Sequence, residues 1–132
     1  TDSAFSLPQE PEELAIQKTV LEQVEEFNQE CFSDERYRGQ NMTLRRFGSP
    51  RDSSVLYLEL PIYAPPFDQD MDAFAGSLEA RSLDFFHVIT ENKENLEYLK
   101  KCGITSVTIR FITSWDNRLE GPERYREFSW EL

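Results

Sequence analysis

Residues 55–61 read VLYLELP, and the fold turns on how that stretch is built. In an extended chain Leu56, Leu58 and Leu60 share one face, while Val55, Tyr57 and Glu59 share the other. A period of two, in residues that favour pleated backbone, predicts a strand. Pro61 has no amide proton to give to a ladder, so the strand ends there or lies at a sheet edge.

Upstream of this strand, Gly48-Ser49-Pro50-Arg51-Asp52-Ser53 has the composition of a turn, and residues 42–47 (MTLRRF) form a second strand candidate. The spacing predicts a hairpin. A polar break containing Gly39 separates it from an amphipathic helix over 11–32. Pro11 suits a first helical turn, and Glu12 and Glu13 sit at the positive end of the dipole. Leu14, Leu21, Val24, Phe27 and Cys31, widened by Val20, form its expected buried stripe. Residues 1–10 read as a mobile tail, which leaves 11–132 as a single domain.

Downstream the period changes to 3.6. Met71, Phe74, Ala75, Leu78, Phe85, Phe86 and Ile89 fit one helical face, with Ser82 interrupting it. Asn92 is placed to cap a further segment carrying Leu96 and Leu99, with Lys100 and Lys101 in its last turn and Gly103 as its stop. The pattern fits one kinked helix or two, and Leu83 to Thr90 also fits a strand. Val107, Ile109 and Phe111, then Phe128, Trp130 and Leu132, alternate with polar residues and predict a second hairpin. The expected fold is α+β: a two-layer sandwich in which an antiparallel sheet of about four strands carries helices on one face, in the order helix, hairpin, helix, hairpin.

At 132 residues the chain is one domain's worth, and its formal charge of -11 repels nucleic-acid phosphate and anionic membrane. No run approaches the ~18 apolar residues of a membrane span. The expectation is a soluble chain with neither nucleic-acid nor membrane partner, in the cytoplasm by default, although Thr1 in place of Met fits removal of an upstream segment. Cys31 and Cys102 are expected as largely buried reduced thiols, with a single bridge between them the alternative.

Few residues suggest chemistry. No nucleophile elbow, zinc-binding histidine pair, Cys-x-x-Cys pair or phosphate-binding loop occurs, and His87, the single histidine, interrupts an apolar run where a structural role is commoner. The expectation is a non-enzymatic protein, with no catalytic residue, cofactor or metal assigned. Asp68, Asp70, Asp72 and Glu79 occupy positions 1, 3, 5 and 12 of a calcium-loop template, but Ala73 stands where the turn needs Gly. Helix capping by Asp68 or Asp70 is the simpler role. Asn41-Met42-Thr43 is a glycosylation triplet, relevant only in a secreted eukaryotic chain.

Charge distribution is more informative. Residues 1–35 carry a net -9, whereas residues 36–51 hold Arg36, Arg38, Arg45, Arg46 and Arg51 with no acid, a net +5. Guanidinium forks recognise carboxylates, so this segment is a candidate contact for another protein or an acidic peptide. The competing use is pairing within the chain, with the Glu-rich first helix or with Glu127 and Glu131. Beside it, residues 60–67 (LPIYAPPF) offer Tyr63 and Phe67 as anchors on a proline-stiffened segment, the competing use being that its apolar side chains fold back over an edge of the chain's own sheet.

The expected function is a binding module, regulatory or chaperone-like, that docks another polypeptide through Arg36, Arg38, Arg45, Arg46, Arg51, Tyr63 and Phe67. The alternative is an acidic inhibitor or immunity-type protein that occludes a basic site with its first helix. A small-ligand or calcium-binding domain ranks third. The wet sheet face around Val55 and Tyr57 also suits a homodimer.

Overall fold

The computed structural model describes residues 10–37, 41–49, 53–65, 70–116, 121 and 123–132. Among the described residues three helices and four strands follow in the order α1 (Pro11–Cys31), β1 (Arg46–Gly48), β2 (Val55–Pro61), α2 (Met71–Thr90), α3 (Lys93–Lys101), β3 (Ser106–Ile112) and β4 (Tyr125–Glu131), with a short 3-10 turn at Glu35–Tyr37. The class is α+β, and the strands lie side by side in chain order. The first ten residues lie outside the described set, apart from Glu10.

The sheet is mixed rather than antiparallel. β1 with β2, and β3 with β4, pair antiparallel, but β2 and β3 pair parallel from Val55↔Ser106 to Pro61↔Ile112. The reason is length. α2 has 20 residues, about 30 Å, and returns the chain along a seven-residue strand of about 23 Å, so β3 starts where β2 started. Pro61 ends β2, which lies inside the sheet and not at its edge.

The helical region from residue 71 divides in two. Asn92 makes the division: its side-chain Oδ1 accepts hydrogen bonds from the amides of Glu94 and Asn95, which caps α3. Leu83 to Thr90 is helical, and Gly103, at φ +83°, ends α3 as a left-handed stop. Within β1 the ladder covers only Arg46–Gly48. Met42 meets Ile62 as an isolated bridge because the pairing slips by one residue between Arg45, whose amide donates to the Glu59 carbonyl, and Arg46, which pairs with Glu59. The Asn28 side chain holds the outward Met42 backbone, donating to its carbonyl at 2.8 Å and accepting from its amide at 2.9 Å.

The buried face of α1 is rotated from the expected stripe. Ile16, Val20, Val24 and Phe27 face the core, whereas Leu14 and Leu21 stay 50% and 46% exposed and Cys31 is half-buried. Phe111 on β3 is the centre of the core. Its ring meets Phe27 of α1 at 6.5 Å, Phe85 of α2 at 6.3 Å and Phe128 of β4 at 6.3 Å. Full burial of one such ring stabilises by about 1.5–3 kcal/mol. Ser82, the gap in the α2 stripe, is fully buried: its hydroxyl donates to the Glu79 carbonyl and accepts from the Trp130 indole at 3.0 Å. Met71, expected on the same face, is exposed.

Both thiols are free, and Cys102 is exposed rather than buried, since it follows the last turn of α3 at the surface. Burial raises the Cys31 thiol pKa. No helix among the described residues is long and apolar enough to cross a membrane.

Candidate interaction site

The face of the sheet turned away from Phe111 is built by alternation. Residues opposite the core positions of each strand fall into one row across all four strands, Arg46↔Glu59↔Arg110↔Glu127, so positive and negative groups alternate. Glu59 is buried, with its side chain 6% exposed, and both Arg45 and Arg46 pair with it, the latter through Nε at 3.2 Å. Arg45 continues to Glu123 at 3.0 Å. The hydrogen bond from Arg45 holds the Glu123 carboxyl below its ordinary pKa, and the two carboxylates raise that of Arg45. Arg110 bonds Glu127 at 2.8 Å while its guanidinium lies 4.0 Å from the Tyr125 ring centre and 5.4 Å from that of Tyr57. Burial first, and Glu59 second, push the Tyr57 phenol up to about 12.

At the carboxyl ends of β2 and β3 this face opens into a cleft of about 160 Å³. Pro61, Ile62 and Ile112 give it apolar walls, and Arg45, Tyr63, Trp115 and Glu123 its polar and aromatic ones. The proline-rich segment folds back here: Ile62 and Ala64 are buried, and the Trp115 indole donates to the Ile62 carbonyl at 2.8 Å. Tyr63 stays 52% exposed, with its hydroxyl 3.1 Å from that of Thr43.

Of the seven residues singled out from sequence, Arg45 and Tyr63 therefore line one cleft, and Arg46 joins Arg45 at Glu59 beside it. Arg36 lies apart, paired with Asp34 at 2.7 Å, and its hydrogen bonds lower the Asp34 pKa to about 2. Arg38, Arg51 and Phe67 lie outside the described residues. The three described arginines of the cationic segment pair with Asp34, Glu59 and Glu123, not with the first helix. It is Arg81 of α2 that pairs with Glu30 of α1. Sequence reading passed over Arg110, Trp115, Glu123 and Tyr125. Parallel alignment of β3 on β2 brings Arg110 beside Glu59 across 51 positions of chain, a separation no local pattern spans.

A second hollow of about 190 Å³ lies between α1, α3 and the β1–β2 end, lined mainly by Ile16, Phe47, Leu56, Leu99 and Ile104. At its side the Tyr98 hydroxyl donates to Glu13 at 3.0 Å, and burial raises the pKa of that phenol. Both hollows fall below the ~300 Å³ at which drug-sized ligand sites begin, so neither is sized for more than a side chain or a small group.

The calcium template does not form a loop, because residues 71–79 are helical; Asp70 sits at the N-cap without a side-chain hydrogen bond, and Asp68 lies outside the described residues. Among the described residues no three His, Cys, Asp or Glu side chains cluster to hold a metal. His87 is exposed, with its ring beside Phe86 at 6.0 Å. Comparison of the chain with protein-family models, with curated proteins and with solved structures finds no match in any of the three.

Proposed function

We propose that this chain is a non-enzymatic binding module that docks a segment of another polypeptide in the cleft between Tyr63 and Trp115. The carrying observation is the pairing of apolar walls with Arg45, whose side chain is 41% exposed and whose guanidinium is shared with the carboxylate of half-exposed Glu123. Glu123 occupies the place a ligand carboxylate takes, so exchange of one carboxylate for another leaves Arg45 paired throughout. An apolar side chain flanked by Asp or Glu fits this cleft, and arginine, tyrosine and tryptophan are the types that carry most interface energy.

Panning a random peptide-display library against the full chain tests the reading. The recovered sequences are expected to join an apolar residue to an acidic one. A synthetic copy is expected to lose about tenfold in affinity, about 1.4 kcal/mol, on Arg45→Ala or Tyr63→Ala, and nothing on Arg36→Ala. Peptides that bind the Arg45 and Tyr63 variants as they bind the parent chain overturn it, as does a library that yields no binder.

The acidic face of α1 supports a second mode of action, inhibition of a partner with a basic site. Leu14 and Leu21 lie exposed two turns apart, beside Glu22 and Glu25, which joins apolar anchors to a carboxylate field. Binding through that face weakens steeply as salt rises.

A further inference from the structure

The two edges of the sheet are finished differently. At the β1 edge the ladder is three residues long, and the Asn28 amide occupies the Met42 backbone as a neighbouring strand would. β4 forms the other edge over seven residues. Bonds from the Thr113 amide to the Arg124 carbonyl and from the Leu132 amide to the Thr105 carbonyl fix the parity of the β3–β4 ladder. Arg126, Phe128 and Trp130 therefore turn their backbone groups to β3, and Tyr125, Glu127, Ser129 and Glu131 turn theirs outward. Among the described residues nothing hydrogen-bonds those four outward backbones. An open edge of this length is a template for another strand.

We propose that the β4 edge is a homodimer interface, in which β4 of a second copy pairs antiparallel about a two-fold axis at Phe128. The register follows from parity and charge. Outward backbone groups must meet outward backbone groups, so the axis passes through a single residue. An axis at Arg126 sets guanidinium against guanidinium, and one at Glu127 sets carboxylate against carboxylate. An axis at Ser129 sets Glu127 against the second copy's Glu131 twice, and one at Trp130 shortens the ladder. At Phe128 no like charges face each other. Phe128 meets its own copy, Arg126 meets Trp130, Glu127 meets Ser129 and Tyr125 meets Glu131. The pairs on the core side join guanidinium to indole and ring to ring, both favourable cross-strand contacts. They extend cover over Phe128 and Trp130, which the single chain leaves half-buried. About eight backbone hydrogen bonds close the seam. This interface does not depend on the cleft reading.

Sedimentation equilibrium of the full chain from about 1 μM to 1 mM tests it, with Ser129 as the lever. In this register Ser129 faces Glu127, and symmetry applies every change twice. Ser129→Lys is expected to tighten the dimer about threefold to tenfold, and Ser129→Glu to loosen it by a similar factor. Gln29→Lys on α1, which makes the same charge change away from the edge, controls for net charge. Ser129→Pro, whose lost amide proton points outward, is expected to give monomer with the fold retained. A parent chain that stays monomeric throughout overturns the proposal. So does a dimer that survives Ser129→Pro, or one that responds to Gln29→Lys as it does to Ser129→Lys.

Discussion

Glu59 and Glu127 occupy the same row of the sheet, yet removing their charges is expected to have unequal effects. Glu59→Gln keeps size and removes the anion that Arg45 and Arg46 share. Breaking a fully buried pair costs about 3–5 kcal/mol, but both arginine side chains here are about two-fifths exposed and Arg45 keeps Glu123, which brings the expected loss to about 2 kcal/mol. With a urea slope of about 2 kcal/mol/M, the midpoint falls by about 1 M. A double-mutant cycle isolates the pair. Arg46→Met with Glu59→Gln is expected to couple by about 1 kcal/mol, because Glu59 is 6% exposed. Arg110→Met with Glu127→Gln is expected to couple by less than ~0.5 kcal/mol, because Glu127 is 35% exposed. Equal couplings, or the reverse order, refute the claim that Glu59 anchors this face.

Asn28→Leu removes both hydrogen bonds to Met42 and is expected to cost about 2 kcal/mol; hydrogen exchange at the Met42 amide, which should accelerate, checks the mechanism. The Tyr57 phenol, held neutral up to about 12, lies above its ordinary pKa of 10.0, so its stabilising effect is complete below pH 10 and is lost as pH rises towards 12. Ultraviolet titration of Tyr57→Phe should delete a late-ionising phenol; loss of an early one instead contradicts the assignment. Two glycines should respond with opposite signs in thermal melts, since neither has a neighbour within 4 Å of an added Cβ. Gly103→Ala, at φ +83°, is expected to destabilise by about 1 kcal/mol, whereas Gly76→Ala within α2 is expected to stabilise by about 0.5–1 kcal/mol.

Elements defined by short-range periodicity were legible from sequence. α1, β2, the Asn92 cap, the Gly103 stop and the alternation of β3 all follow from residues within a turn or a strand of one another. What depended on distant partners was not. The parallel join of β2 to β3 follows from the length of the helices between them, which local patterns do not encode. Leu14 and Leu21 fit a helical stripe as well as Ile16 does, and only packing against the other elements selects the face. At the site, Arg45, Arg46 and Tyr63 carried a compositional signal. Trp115 and Glu123 lie between strands, where no period marks them, and reach the cleft only because β3 ends beside β2.

That parallel pairing also sets an order of events during folding. Val55 meets Ser106 across 51 positions of chain, whereas Phe47 meets Leu58 across 11. Closing the longer loop costs more chain entropy before any contact rewards it, and contacts of high sequence separation slow folding. The first hairpin can close while β2 is still without its second neighbour. On a ribosome, β2 has one side unpaired until residues past Ile112 have emerged. For that interval the helices are already out, but Val107, Ile109 and Phe111 are missing from the core they share with Leu56, Leu58 and Leu60, and the unpaired side of β2 stays open to other chains.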